Sequence, residues 1–120
     1  MGVHVSDEEF EGMVADAIDS IPERFTAELE NIAFFMEDEP PEGEDPDLLG
    51  LYDGLSLDER ALGYGYPGDM PDSITVYKGP HERMCESVGE LAEEVRVTVV
   101  HEVGHYFGMD EDQIEDMGYA

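Results

Sequence analysis

A long amphipathic helix near the C-terminus is the feature that most constrains how this chain can fold. Ser87 and Glu90 have the spacing of a capping box, which predicts that a helix begins just after Ser87. Apolar residues then recur close to helical spacing at Leu91, Val95, Val99, Val103 and Tyr106. Because valine is a mediocre helix former in isolation, this segment indicates a helix packed in the interior. We predict that the helix ends at Gly108, a residue type common at helix C-termini.

Three residues inside this helix carry the chemistry of a metal site. His101, Glu102 and His105 have the spacing HExxH. Positions four apart lie on one face of a helix, so both imidazoles can reach one metal ion, and Zn²⁺ is the default ion for these ligands. Glu102 lies next to the first histidine, where a carboxylate can hold and deprotonate a metal-bound water. The pattern therefore predicts a Zn²⁺ site with Glu102 as the general base of a hydrolysis.

A tetrahedral zinc site needs a third protein ligand that approaches from another direction. A helix that ends at Gly108 lets the chain turn sharply, so that a side chain three residues later can return to the metal. Glu111 occupies that position and is the predicted third ligand. Asp110 and Asp112 flank Glu111 as substitutes, and His81 is a rival candidate.

The rest of the chain predicts helices and a small number of strands. A second capping box at Ser6 and Glu9, followed by apolar residues at helical spacing, predicts a helix over residues 7–20. A short helix is expected over residues 23–28, and an ordered loop over residues 57–70. Three segments predict strands: a buried one at 32–36, a second at 48–52 and a third at 73–78. Gly79 and Pro80 are predicted to end the third strand.

The charge balance excludes several function classes. The chain has 120 residues, expected to form one domain over residues 1–120, with 32 Asp and Glu against 5 Lys and Arg and a net charge of −27. Without a basic patch, binding to nucleic acid or to an anionic membrane is not expected. The acids are spread along the chain, which favours a halophilic surface adaptation, screened over about 3 Å at 1 M salt. The competing interpretation is an acidic surface that binds a basic partner.

The sequence also bears on the compartment of the protein. Cys85 is the only cysteine, which excludes an intramolecular disulfide, and it is predicted to be buried. The N-terminal residues have no basic segment followed by an apolar one, and no run reaches about 18 apolar residues. We therefore predict a cytoplasmic protein.

At the segment that contains His101, Glu102 and His105, the sequence resembles a known family. The segment His-Glu-Val-Gly-His-Tyr-Phe-Gly-Met-Asp-Glu is similar to the minimal zincin-like metallopeptidase family, small bacterial proteins with the motif HExxHxxGxxD. The likeness extends to residues 48–52, 73–80 and 93–100. It implies an α+β fold, in which a small mixed sheet of about three strands packs on an N-terminal helix and a C-terminal HExxH helix. It also implies His101 and His105 as ligands and Glu102 as the catalytic acid, and the third ligand, usually Asp, falls on Glu111.

The resemblance implies a metallopeptidase whose substrate is a peptide or a small amide. Larger proteases of this type have a C-terminal subdomain that forms half of the cleft, so either the substrates are small or another chain completes the site in an oligomer. The strand at 73–78 is predicted to be the edge on which a peptide docks. The alternatives are a non-catalytic zinc-binding or interaction domain with a degenerate site, and an acidic interaction module whose histidines are incidental.

Overall fold

Four helices and a three-stranded sheet make up the described part of the chain. A computed structural model describes residues 2–23, 32–53 and 72–114, apart from the side chain of Glu111. In chain order the elements are α1 (Asp7–Asp19), β1 (Ile32–Glu37), β2 (Gly50–Asp53), β3 (Asp72–Tyr77), α2 (Lys78–Met84), α3 (Val88–Tyr106) and α4 (Glu111–Ile114). This mixture of helices with a small mixed sheet is the predicted α+β class. None of the helices in these ranges is both long enough and apolar enough to cross a lipid bilayer.

Helix α3 is the centre of the molecule, as its sequence predicts. The Ser87 hydroxyl accepts a hydrogen bond from the backbone N–H of Glu90 at 3.1 Å, which satisfies one of the free N–H groups of the first turn. The apolar positions Leu91, Val95, Val99 and Val103 are all 0% exposed. They are covered by α1 on one side and by β2 and β3 on another. Burial of this stripe compensates for the weak helix propensity of valine.

Helix α1 begins and ends close to the predicted positions. Its N-cap Ser6 accepts a hydrogen bond from the backbone N–H of Glu9 at 3.1 Å. Its apolar stripe, including Phe10 and Val14, is buried in the same core as α3. Lys78 reaches back to the first turn and forms an ion pair with Asp7 at 2.8 Å.

The sheet has the strand order β1-β3-β2. β1 runs parallel to β3 with Phe34 opposite Ile74, and β2 runs antiparallel to β3 with Tyr52 opposite the same residue. Because β3 is hydrogen-bonded on both sides, it has no free edge over these positions. The prediction that a peptide docks on the strand at 73–78 is therefore wrong.

Two further predictions need correction. The strand at 32–36 is not buried throughout: Ile32 is 8% exposed, but Phe35 is 52% exposed, because β1 lies at one end of the described sheet. Residues Lys78–Met84 form helix α2, where the sequence predicted only the end of a strand. Pro80 is compatible with this helix because it lies in the first turn, where no intrahelical N–H bond is lost. Apart from Glu23, the predicted helix at 23–28 lies outside the described residues, as does the predicted loop at 57–70.

Candidate metal centre

The three residues of the HExxH pattern lie together near the C-terminal end of α3. One possible ligand atom each from His101, Glu102 and His105 lies within 4.8 Å of the other two. The two imidazole rings have centroids 4.6 Å apart and an angle of 75° between their planes. Helical spacing brings them together, since residues four apart are neighbours on one face.

This face of the helix is open to solvent while its opposite face is packed. His101 and Glu102 are half-buried and His105 is exposed, whereas Val103 and Tyr106 are buried in the core. The apolar side of the helix therefore fixes the direction in which the polar side chains point. These three side chains can therefore be reached from the solvent side.

The donor set fits a zinc ion. Zinc–nitrogen bonds are about 2.0–2.1 Å long, so two imidazole nitrogens on one ion are at most about 4.2 Å apart. The candidate ligand atoms of the two histidines lie within 4.8 Å of each other, which is about the separation that one zinc ion requires. Imidazole is also a ligand type that zinc prefers, and Glu102 lies beside the two histidines as the candidate general base.

The helix ends in a complete Schellman motif directly after the second histidine. Gly108 has φ +71°, a left-handed conformation that favours glycine. The Gly108 N–H donates to the carbonyl of His105, and the Met109 N–H donates to the carbonyl of Gly104, both at 3.0 Å. The motif satisfies carbonyls that would otherwise be free and reverses the chain, as the prediction of a stop at Gly108 required.

Helix α4 then packs back on α3 at Gly104. A methyl group at Gly104 would overlap the Ile114 side chain, lying 2.7 Å from Ile114 Cδ1, so only glycine allows this close packing. Ile114 itself is 0% exposed. The contact holds the start of α4, and with it the backbone of Glu111, near the C-terminal end of α3.

Of the candidate third ligands, Asp110 has a structural role. Its carboxylate accepts a hydrogen bond from the Gln113 N–H, and its own N–H donates to the Gln113 side-chain oxygen, both at 2.9 Å. Asp110 is thus the N-cap of α4. Asp112 is exposed. The side chain of Glu111 lies outside the described part of the structure, so Glu111 as third ligand stays a prediction.

The alternative third ligand, His81, is buried and hydrogen-bonded through both ring nitrogens. Its side chain is 0% exposed, with Nδ1 2.7 Å from the Tyr77 carbonyl oxygen and Nε2 2.8 Å from the Thr98 hydroxyl. Burial lowers the pKa of His81 and outweighs the opposite effect of the Tyr77 and Glu94 backbone groups. Both ring nitrogens are therefore used in hydrogen bonds inside the protein. Cys85 is buried as predicted, and burial raises the pKa of its thiol to about 11, so it stays protonated at neutral pH.

Two groups of residues near the centre were not predicted. The Tyr52 hydroxyl donates a hydrogen bond to the Asp72 carboxylate at 2.7 Å, which links β2 to β3. The Tyr52 ring also packs edge-on against the Tyr106 ring, with the ring centroids 6.1 Å apart, which links β2 to α3 next to His105. Gly50 lies against α3 at Thr98 and Glu102. A glycine inside a strand often marks a close backbone approach, so the sequence carried a signal for Gly50 but none for the tyrosine–aspartate pair.

Comparison with known protein families agrees with this geometry. The family model described as zincin-like metallopeptidase matches residues 29–119, well over half of the chain. No curated protein matches the chain. The match covers the sheet, α2, α3 and the HExxH residues together, and it confirms the family resemblance that the sequence predicted.

Proposed function

Since the chain belongs to the zincin-like metallopeptidase family, we propose that it is a zinc-dependent metallopeptidase that hydrolyses peptide or amide bonds. The observation that carries this proposal is the grouping of His101, Glu102 and His105, whose candidate ligand atoms lie within 4.8 Å on a solvent-facing helix surface. A family match alone indicates a fold and a class, whereas this grouping of side chains supports the proposed chemistry.

Each of the three side chains has a distinct role in the proposed reaction. His101 and His105 hold the ion through one nitrogen each. Zinc, when bound, supplies a Lewis acid that lowers the pKa of water into the neutral range. Glu102 takes the proton from the attacking water and holds it on its carboxylate. Glu102 then donates that proton to the leaving amine.

We assign the third ligand position to Glu111. Support comes from the chain reversal at Gly108 and from the packing of Ile114 on Gly104, which together return the backbone of residue 111 to the end of α3. Support also comes from the capping role of Asp110, whose carboxylate is occupied at the start of α4.

The proposed substrate is a peptide or a small amide, not a nucleic acid. A net charge of −27 repels phosphate groups, and 5 basic residues cannot neutralise an extended phosphate backbone. Substrates with basic side chains would approach the acidic surface most readily.

Zinc content tests the metal site. The protein, purified without a histidine tag, is expected to contain one zinc per chain by elemental analysis. His101→Ala should lose the zinc, because a two-histidine site with one histidine removed binds the ion far more weakly. His4→Ala is the matched control and should keep the zinc, since His4 is 87% exposed in the N-terminal segment beside Glu82. Equal zinc content in all three proteins would refute the assignment of His101.

Hydrolysis tests the enzyme. A fluorogenic peptide library, assayed at high salt, is expected to be cleaved by the native protein. Glu102→Gln should lower kcat by about a hundredfold or more while the zinc content is unchanged, because it removes the general base and keeps the ligands. Glu11→Gln, at an exposed position of α1, is the control and should leave the rate unchanged. Zinc binding with equal rates for native protein and Glu102→Gln would instead identify a non-catalytic metal-binding domain.

A further inference from the structure

Thr98 connects three elements of the fold directly beneath the catalytic base. It lies on α3 one turn before Glu102 and is only 6% exposed. Its hydroxyl lies 2.8 Å from His81 Nε2 on α2. Its methyl group faces Gly50 at the start of β2, since a methyl built on Gly50 would lie 2.8 Å from Thr98 Cγ2.

His81 fixes the rotation of the Thr98 side chain. The Tyr77 carbonyl, 2.7 Å from His81 Nδ1, can only accept a hydrogen bond, so Nδ1 carries the proton. In the neutral ring Nε2 must then accept, and the Thr98 hydroxyl donates to it. With the hydroxyl held in this direction, the methyl group on the same β-carbon can point only towards Gly50.

The space between β2 and α3 admits no side chain at Gly50. A methyl group there would also lie 3.3 Å from Glu102 Cγ and 3.3 Å from the Thr75 carbonyl oxygen. Carbon atoms in contact normally lie about 3.5–4.0 Å apart, so the contact with the Thr98 methyl would be far too close and the one with Glu102 Cγ would be tight. The strand backbone and the Thr98 methyl together therefore bound the region in which the Glu102 methylene groups can lie.

We infer that Gly50, Thr98 and His81 are positioning residues that set the distance between β2 and α3 at Glu102 and thereby orient its carboxylate. None of the three is proposed to touch the metal or the substrate. The catalytic consequence of the inference rests on the proposed function, whereas the orientation of Glu102 does not.

The first experiment measures the Glu102 side-chain conformation in the metal-free protein by NMR, using three-bond couplings that report χ1. The native protein is expected to show one χ1 rotamer. Gly50→Ala should change these couplings, because the new methyl displaces the strand or the Glu102 side chain. The double variant Gly50→Ala with Thr98→Ser should largely restore them, since serine keeps the hydroxyl for His81 and lacks the methyl that clashes. Gly12→Ala, where a methyl meets nothing within 4 Å, is the control.

A second pair of variants tests the part played by His81. In His81→Gln the amide group can reach the position of Nε2 and keep the bond to Thr98. In His81→Asn the shorter amide matches Nδ1 and loses that bond. Native-like Glu102 couplings are expected in His81→Gln and averaged couplings in His81→Asn. This pair decides the question even if Gly50→Ala fails to fold. Unchanged Glu102 couplings in His81→Asn, or in a folded Gly50→Ala protein, would overturn the inference.

The rate of hydrolysis gives the functional measurement. Gly50→Ala is expected to lower kcat by about a hundredfold with little change in KM or in the zinc dissociation constant, as for a displaced catalytic group. A loss of zinc binding together with kcat would instead indicate general damage to the site and contradict the positioning role. If the native protein hydrolyses nothing, the proposed function fails, but the couplings still decide whether the three residues orient Glu102.

Discussion

At the scale of single residues, two glycines determine how closely other elements approach α3, the helix that carries the HExxH residues. Gly50 admits β2 to the face near Glu102, and Gly104 admits the Ile114 side chain next to His105. Neither glycine has a left-handed backbone conformation. Glycine is needed at both positions because a side chain would not fit, not because of the backbone angles. Gly104 also lies inside the HExxH spacing, where the motif itself leaves the residue type open.

Gly104→Ala should therefore destabilise the fold. The added methyl overlaps the Ile114 side chain, and overpacking of this kind costs about 1–3 kcal/mol. Gly12→Ala is the matched control in α1, because it meets nothing within 4 Å and should stabilise the helix by about 0.5–1 kcal/mol. Urea unfolding of the two variants and the native protein measures whether the free energy of unfolding falls in Gly104→Ala and rises in Gly12→Ala. A Gly104→Ala protein as stable as the native one would contradict the close packing of α4.

His81 predicts a specific dependence of stability on pH. Its pKa in the folded protein lies below the ordinary value of 6.5 because the side chain is buried. The unfolded chain therefore binds a proton more readily than the folded one. The stability contributed by neutral His81 is complete above about pH 6.5 and is lost as the pH falls below that value.

The measurement compares free energies of unfolding between about pH 5 and pH 8 for the native protein and His81→Gln, which cannot titrate. The stability difference between the two proteins should be largest at pH 7–8 and should shrink as the pH falls. Titration of the surface carboxylates is common to both and cancels in this difference. A constant difference over the whole range would show that His81 does not change its protonation on unfolding.

At the scale of elements, α3 is defined by its two ends. Ser87 caps the N-terminus, and Gly108 reverses the chain two residues after the helix ends at Tyr106. The cap at Ser87 sets where the helix begins and therefore how far along it the histidines lie. The chain reversal at Gly108 lets α4 pack against the C-terminal end of α3. Both ends of α3 therefore contribute to the position of the HExxH residues.

Gly108→Ala should destabilise the protein by about 1 kcal/mol, because φ +71° is strained for a residue with a β-carbon. Gly108→Asn should cost less, since asparagine tolerates the left-handed region. Thermal unfolding and zinc affinity of the two variants test this together. If Glu111 is a ligand, Gly108→Ala should weaken zinc binding more than Gly108→Asn does. Equal unfolding temperatures for the two variants would show that the backbone at this position relaxes.

At the scale of the whole molecule, charge is the dominant property. With 32 acidic residues and only 5 Lys and Arg, most carboxylates have no basic partner to pair with. Of the ion pairs in the described ranges, Arg83 with Glu39 at 2.9 Å lies at the surface. Mutual repulsion should therefore oppose folding at low ionic strength.

We predict that stability rises steeply with salt. Raising KCl from about 0.1 M to about 1 M shortens the screening length from about 10 Å to about 3 Å, so most of the repulsion disappears. Urea unfolding at several KCl concentrations measures the slope. A variant with Glu8→Gln, Glu11→Gln and Asp16→Asn, all at exposed positions of α1, should show a shallower slope. A slope near zero for the native protein would refute the halophilic interpretation of its surface.

Local patterns predicted the helices that carry the site, because caps and apolar spacing act within a few residues. The bounds of α1 and α3 and the stop at Gly108 follow from such signals. Helix α2 was missed because Gly79 and Pro80 also fit the end of a strand, and only packing on α3 decides between the two. The exposure of Phe35 was missed for a similar reason, since an apolar segment does not reveal its place in a sheet.

The sequence by itself placed His101, Glu102 and His105 together, since the helical period alone brings them to one face of α3. It also determined the charge of the surface and the family of the protein. Only the tertiary structure decided that β3 is central and that His81 is held by Thr98 and not by a metal. It alone decided that Gly50 lies against Glu102. These contacts join residues far apart in the chain, and their formation depends on how sheet and helices pack, which no local pattern records.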